Sequence, residues 1–99
     1  MHVISKHALV EFWENHADAR NGLAAWHQVA SHAGWRSLED VRRTFPTADS
    51  VGRLTVFNIG GNKYRLVARM EYGKQRAYIR SVLTHAEYAK EDWKKDPWF

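Results

Sequence analysis

Residues 53–83, RLTVFNIGGNKYRLVARMEYGKQRAYIRSVL, alternate apolar and polar side chains and are interrupted twice by glycine. This period of two predicts three strands, over 53–59, 63–72 and 75–83. Gly60 and Gly61 predict a tight first turn, and Gly73 with Lys74 predicts a two-residue type II′ turn. The stretch is therefore expected to form an antiparallel sheet of three strands.

The segments on either side of this sheet have helical spacing. HVIS at 2–5 predicts a short strand, after which Ser5 is expected to cap a helix over 6–17. A second helix is predicted over 20–32, and a third from the SLED cap at 37–40 to Thr44, followed by a PTADS loop. Thr84 and Glu87 have the spacing of a capping box and predict a C-terminal helix. The predicted fold class is α+β, with the N-terminal helices packed on one face of the sheet.

Length and composition limit the possible classes of protein. Ninety-nine residues, of which 44% are hydrophobic, predict one globular domain over 1–99. No apolar run reaches the roughly 18 residues of a membrane span, and no secretory leader is expected at the N-terminus. The absence of cysteine excludes disulfides and fits a cytoplasmic protein. No HxxxH pair occurs, so no metal site is predicted.

Positive charge is concentrated in the strands. Residues 53–80 contain seven basic residues against one acid, a net charge of +6, whereas the whole chain carries only +4. A polyanionic partner is therefore expected, with RNA or DNA ahead of a membrane surface. The alternative is an ordinary solvated basic face.

Strand register predicts where these charges point. With Gly73 and Lys74 as the turn, Arg69 lies opposite Tyr78, Glu71 opposite Arg76, and Val67 opposite Arg80. Because side chains alternate, one side of the sheet, here named the arginine face, is expected to carry Arg65, Arg69, Glu71, Arg76, Tyr78 and Arg80. The other side, the core face, is expected to carry Leu66, Ala68, Met70, Ala77, Ile79 and Leu83. A two-residue first turn would add Asn58 to the arginine face and Phe57 and Ile59 to the core, whereas a three-residue turn would reverse them.

Four arginines on one sheet face favour nucleic-acid binding. The guanidinium is planar, binds phosphate with two parallel hydrogen bonds and stacks on bases. Arg65 and Arg69 are expected to stand about 13 Å apart, at about 3.3 Å per residue. This separation suits phosphates that are not adjacent.

Four blocks of the sequence, MHVISK, WRSLEDVRRTFPTADSV, FNIGGNKYRLVAR and YIRSVLTHAEY, resemble the HigB-type toxins of bacterial toxin–antitoxin modules, within the RelE-like superfamily. The resemblance covers about residues 1–90 and leaves the tail, 91–99, outside. It implies a small α+β fold with a mainly antiparallel sheet, and an mRNA endoribonuclease, or mRNA interferase, that cleaves translated mRNA, usually on the ribosome. It also implies a HigA-type antitoxin with a helix-turn-helix domain as partner.

Cleavage of RNA by its own 2′-OH needs a base, an acid and cations for the transition state, but no metal or other cofactor. Matched to the superfamily, the catalytic candidates are Arg65, His85 and Tyr88, with the division of roles between His85 and Tyr88 open. Further RNA- or phosphate-binding candidates are Asn58, Lys63, Arg69, Arg76 and Arg80.

Each catalytic candidate has a structural alternative. His85 could merely complete the first turn of the last helix, and Tyr88 could be a core aromatic. Trp93 and Trp98, in the tail, are expected to dock on a partner or on the domain itself. The alternative function is a non-catalytic RNA- or ribosome-binding module that uses the same basic face. A DNA-binding role is disfavoured because no basic recognition helix is evident.

Overall fold

The computed structural model describes residues 1–99. The chain forms five strands and four α-helices, with a 3₁₀ turn at Ala17–Ala19 and another at Asp92–Lys95. In chain order they are β1 (His2–Ile4), α1 (His7–Asn15), α2 (Arg20–His32), α3 (Leu38–Thr44), β2 (Asp49–Val51), β3 (Leu54–Ile59), β4 (Tyr64–Glu71), β5 (Arg76–Thr84) and α4 (His85–Ala89). None of the helices is long and apolar enough to cross a membrane.

The strands form one sheet in the order β1-β5-β4-β3-β2. Every pairing is antiparallel except that of β1, which lies parallel to β5. The predicted α+β fold with a mainly antiparallel sheet is therefore confirmed. The predicted loop over 46–50 is wrong at its end, because Asp49 and Ser50 pair with β3 as part of the edge strand β2.

The turns of both hairpins differ from those predicted. Ile59 lies opposite Tyr64, so the first loop has four residues, 60–63, and its even number leaves Asn58 opposite Arg65. The type II′ turn predicted at Gly73 is wrong, because the positive φ (54°) belongs to Gln75 instead. The Gln75 side-chain amide donates hydrogen bonds to the carbonyls of Trp35 and Tyr72, which hold this turn in place.

A bulge in β5 shifts the register in the middle of the second hairpin. Arg69 lies opposite Tyr78 and Glu71 opposite Arg76, as predicted, but Val67 lies opposite Ser81. The predicted pairing of Val67 with Arg80 is therefore wrong, since Arg80 is the extra residue of the bulge. Past this point the faces change places: Leu83, predicted in the core, lies opposite Arg65, and Val82 lies opposite Leu66.

The main core lies between the helices and the core face of the sheet. Its largest fully buried side chains include Trp26, Phe57, Leu9, Leu23 and Leu66. Gly22 allows α2 to approach the sheet, because a Cβ there would lie 2.8 Å from Cγ2 of Ile59. Phe57 and Ile59 belong to this core, as the predicted even-numbered turn required.

A second, smaller core lies on the arginine face. Leu54, Val56 and Val67 are buried there beneath Trp93, a residue of the tail. Leu83, Tyr88, Trp98 and Phe99 pack around them. The arginine face is therefore not open along its whole length, because the tail covers its apolar middle. The expectation that the tail docks on the domain itself is confirmed.

Two of the three predicted helix caps form. Oγ of Ser37 accepts a hydrogen bond from the Asp40 N–H, and Thr84 and Glu87 make both hydrogen bonds of the capping box, at 3.2 and 2.9 Å. The predicted cap at Ser5 is wrong, because α1 starts after Lys6 without any side-chain cap. The capping box fixes the direction in which α4 leaves β5.

Candidate active site

Five of the predicted site residues meet where β4 begins and β5 ends. Asn58 lies opposite Arg65 on the neighbouring strand. The backbone N–H of His85 donates to the carbonyl of Lys63 at 2.9 Å, which ties the start of α4 to the first loop. Tyr88 lies one helical turn after His85 and contacts Arg65. The structure thus brings Asn58, Lys63, Arg65, His85 and Tyr88 together at one end of the sheet.

Arg65 is the one buried arginine, with an exposed fraction of 9%. Its Nη1 donates to the carbonyls of Asn62 and Tyr64, at 3.2 Å each. Its Cζ lies 5.2 Å from the centroid of the Tyr88 ring, a cation–π contact. No carboxylate pairs with this guanidinium, so its remaining donors are available to an anion.

Tyr88 is placed by its ring. The ring stacks on Trp93 with the centroids 5.1 Å apart and the planes 13° apart, and the Tyr88 carbonyl accepts a hydrogen bond from Nε1 of Trp93. Its hydroxyl makes no hydrogen bond within the chain. The ring is therefore half-buried and held on two sides, while the hydroxyl is free to meet a substrate.

His85 and Lys63 form the solvent-exposed side of the same cluster. Both side chains are exposed, and the imidazole makes no hydrogen bond within the chain. Lys63 Nζ lies 3.3 Å from a carboxylate oxygen of Asp18, in the turn between α1 and α2. The hydroxyl of Tyr64 donates to the same carboxylate. That hydrogen bond, more than Lys63, lowers the pKa of Asp18, and it raises the pKa of Tyr64.

The other three arginines lie farther along the face, with Arg80 at the bulge in the middle of β5. Arg80 binds Asp96 through two hydrogen bonds, from Nε at 2.9 Å and from Nη2 at 3.2 Å. Arg76 donates to the hydroxyl of Tyr78 at 3.3 Å. Arg69 makes no hydrogen bond or ion pair, and its Cζ lies 5.9 Å from the centroid of the Trp98 ring. The predicted site residues therefore form two groups rather than one continuous arginine surface.

The tail residues are the part of this surface that sequence reasoning did not place. Asp96 forms an ion pair with the guanidinium of Arg80. Trp93 packs on Val67, which lies between Arg65 and Arg69 in β4. The only sequence signal for this docking was the pair of tryptophans in a charged segment. It predicted that the tail docks, but not where on the domain it binds. His, Asp and Glu side chains gather nowhere in groups of three or more that could hold a metal ion.

Comparison with known proteins gives the class of this chain. Residues 19–91 match the model of the HigB toxin family, described as the RelE-like toxic component of a toxin–antitoxin system. The chain is 34% identical over 91 residues to the mRNA interferase toxin HigB of Escherichia coli strain K12, covering 89% of this chain and 88% of the relative. The mRNA interferase HigB of Shigella flexneri matches to the same extent, and that of Escherichia coli O6:H1 is 27% identical over 93 residues, covering 91% of this chain and 90% of the relative.

The α+β fold with its mainly antiparallel sheet is consistent with that of a RelE-like toxin. With a match over most of its length, the chain belongs to the HigB toxin family, the RelE-like toxic components of toxin–antitoxin systems. The family predicted from the sequence is confirmed, and the relatives carry the name of the predicted enzyme class. As a toxin of such a system, the protein has an antitoxin as partner.

Proposed function

We propose that this toxin is an mRNA interferase, an endoribonuclease that cleaves translated mRNA on the ribosome, in the cytoplasm, without a metal ion. The observation that carries the proposal is the buried, acid-free guanidinium of Arg65 beside the free hydroxyl of Tyr88 and the exposed imidazole of His85. Relatives that share a third of their residues with this chain are named mRNA interferases.

The proposed reaction is attack by the RNA on itself. The 2′-oxygen forms a bond to the neighbouring phosphorus and passes its proton to a base. The bond between phosphorus and the 5′-oxygen breaks, and an acid gives that oxygen a proton. The products are a 2′,3′-cyclic phosphate and a free 5′-OH. Because the nucleophile belongs to the substrate, the protein has to supply only two proton-transfer groups and positive charge.

Arg65 is suited to stabilise the pentacoordinate phosphate. Its position is held by two carbonyls and by the Tyr88 ring, so little reorganisation is needed when charge develops on the phosphate oxygens. In a site with little water the interaction is stronger than at the surface. Lys63 and Asn58 lie beside it and are proposed to bind the flanking phosphate and sugar.

His85 and Tyr88 are proposed to supply the base and the acid. Histidine ordinarily exchanges its proton near neutral pH and can serve in either role. The Tyr88 hydroxyl can donate to the leaving oxygen or orient the phosphate. The two residues lie one helical turn apart on α4.

The proposed antitoxin is a HigA-type protein with a helix-turn-helix domain. The charge of +6 over residues 53–80 favours an acidic antitoxin surface over the RNA site. Expression of the toxin alone is expected to arrest growth, and co-expression with the adjacent reading frame is expected to relieve the arrest. A chain that is harmless alone, and that no neighbouring gene product binds, would contradict the toxin assignment.

Cleavage assays distinguish the enzyme from a non-catalytic RNA- or ribosome-binding module. The purified protein is incubated with RNA in the presence of a chelator, and in parallel with a translating extract, and the RNA ends are identified. We expect fragments ending in 2′,3′-cyclic phosphate in at least the translating extract. Arg43→Ala, on the exposed side of α3, is the control for net charge. Binding to ribosomes without any cyclic-phosphate ends would favour the binding module instead.

A further inference from the structure

The last residues of the chain, 92–99, lie beyond the family match, which ends at residue 91, and they are held firmly on the arginine face. The Arg53 N–H donates to the Phe99 carbonyl at 2.7 Å, and its Nη2 donates to the Pro97 carbonyl at 3.0 Å. Gly52, with φ of +60°, lies directly beneath Phe99, and a Cβ there would come within 2.7 Å of it. The turn between β2 and β3 is therefore shaped to receive the end of the chain.

Asp96 sets the orientation of Trp98. One carboxylate oxygen accepts the Trp98 backbone N–H at 2.8 Å, and the same carboxylate is held by the guanidinium of Arg80. The indole centroid lies 4.3 Å from Cζ of Arg80, and its plane meets the Tyr78 ring nearly at right angles, 86°, with the centroids 5.2 Å apart. The indole is thus fixed before any ligand arrives.

A cleft of about 290 Å³ opens beside this indole, lined by Arg53, Arg69, Glu71, Pro97 and Trp98. Neither arginine in it is paired with an acid: Arg53 contacts the Pro97 carbonyl, and Arg69 faces the indole. Glu71, the one carboxylate, lies 3.9 Å from Lys74, which offsets its charge. An unpaired guanidinium can bind the phosphate of a nucleotide, and a fixed indole can stack on its base.

We propose that this cleft binds a nucleotide of the RNA substrate, near but not adjacent to the scissile phosphate at Arg65. Trp98 stacks on the base, and Arg53 and Arg69 bind a backbone phosphate. The proposal rests on the proposed function and adds a site to it. RNA is favoured over an acidic peptide because every base can stack on an indole, whereas a carboxylate has no ring that can stack on it.

The test is the affinity for a single-stranded RNA in which 2′-O-methyl groups prevent cleavage, measured by fluorescence anisotropy. Trp98→Ala is expected to weaken binding about tenfold, Trp98→Phe to keep part of the affinity, and Arg53→Ala to weaken binding as well. Lys95→Ala, on an exposed tail side chain, is the matched control and should bind as the parent does. The Nε1–H NMR signal of Trp98, assigned with Trp98→Phe, is expected to shift when the RNA is added.

The proposal would be overturned if the folded variants Trp98→Phe and Arg53→Ala bound RNA with the affinity of the parent, and if the Trp98 indole signal of the parent did not move when RNA was added. The proposal would also be overturned if the protein bound a polyglutamate peptide through Trp98 but did not bind RNA. The result is independent of catalysis: if Arg65→Ala still cleaves RNA while Trp98→Ala loses affinity, the proposed catalytic site fails and the cleft stands. If Arg65→Ala loses cleavage while Trp98→Ala keeps the parental affinity, the proposed RNA site in the cleft fails and the proposed function stands.

Discussion

Arg65 differs from the other arginines of its face in how its guanidinium is held. It is buried against two carbonyls and an aromatic ring, whereas Arg69 and Arg76 are partly or fully exposed and Arg80 is bound to a carboxylate. A buried charge without an acid partner is costly to the fold. Its place at the end of the sheet fits the proposed role of binding the RNA phosphate.

Arg65→Ala is expected to lower the cleavage rate about a hundredfold, because it removes the fixed cation from the transition state. Arg65→Lys should recover little of this rate, since it keeps the charge but loses the two-pronged geometry. Loss of the hydrogen bonds to Asn62 and Tyr64 is expected to reduce the free energy of unfolding by about 1–2 kcal/mol. Cleavage and melting are measured on the same preparations, and full toxicity of a folded Arg65→Ala would place the active site elsewhere.

Tyr88→Phe separates the role of the hydroxyl from that of the ring. The phenyl ring preserves the stack on Trp93 and the contact with Arg65, so melting should be unchanged. The cleavage rate is expected to fall about a hundredfold because the proton donor is lost. A variant that cleaves at the parental rate would reduce Tyr88 to a packing residue, and Tyr78→Phe, at the other end of the face, serves as the control.

His85→Ala is expected to change the pH dependence of cleavage as well as its rate. The imidazole makes no hydrogen bond within the chain, and Thr84 and Glu87 cap α4 without it, so stability should be retained. If His85 is the acid or the base, one limb of the pH–rate profile disappears. A uniform fall in rate with an unaltered profile would show that the imidazole only binds RNA.

At the scale of elements, the junction between β5 and α4 positions the proposed chemistry. The capping box orients α4, the hydrogen bond from His85 to Lys63 joins it to the first loop, and Trp93 supports it from below. The 3₁₀ turn that carries Trp93 leads directly to Asp96 and Trp98. The active end of the sheet and the cleft are therefore supported by one continuous tail.

Docking of the tail is expected to weaken in acid through Asp96. Partial burial of this carboxyl opposes its ionisation, but hydrogen bonds from Arg80 and from the Trp98 N–H outweigh burial and lower its pKa below the ordinary 3.8. A lowered pKa means that the charged form stabilises the docked tail above about pH 3.8, and that this stability is lost as the pH falls further. Asp96→Asn should lose the ion pair at every pH.

The Nε1–H signal of Trp98 reports this change between pH 7 and pH 3. In the parent it is expected to move as Asp96 takes up its proton, and in Asp96→Asn it should already be displaced at pH 7 and show no such transition. A parental signal that coincides with that of Asp96→Asn at pH 7 would mean that Asp96 does not hold the tail.

At the scale of the whole molecule, charge is divided between the strands and the rest of the chain. The stretch 53–80 carries +6 within a chain of +4, and its arginines lie on the side of the sheet away from the helices. One side of the molecule therefore presents a positive potential to a polyanion, while the helices form the other side. In the proposed function, this asymmetry would orient RNA as it approaches.

RNA binding is expected to weaken steeply with salt. Each arginine–phosphate contact releases condensed counterions, so the logarithm of the affinity should fall linearly with the logarithm of the salt concentration. Arg69→Ala should reduce the slope by about 1, and Arg36→Ala, near α3 on an exposed side chain, should leave it unchanged. A flat salt profile would show that the arginine face is not the contact surface.

The residues alone determined those features that depend on near neighbours. Alternation between apolar and polar side chains located β3, β4 and β5, because a strand must bury one of its faces. The turn centred on Gly73 and Lys74 placed Arg69 opposite Tyr78. Thr84 and Glu87 located the start of α4, because a capping box is complete within four residues. The grouping of Arg65, His85 and Tyr88 as site candidates came from the resemblance to the RelE-like superfamily, not from these local features.

Tertiary structure decided the features that depend on residues far apart in the chain. The bulge at Arg80 moves Leu83 onto the arginine face, β1 pairs in parallel with β5, and the tail covers Val67 and occupies Arg80. None of these has a local signal: alternation cannot reveal one extra residue in a strand, and Trp93 and Asp96 find their partners only when the sheet has formed. Packing over long separations, rather than local preference, therefore divided the predicted arginine surface into the proposed catalytic end and a cleft.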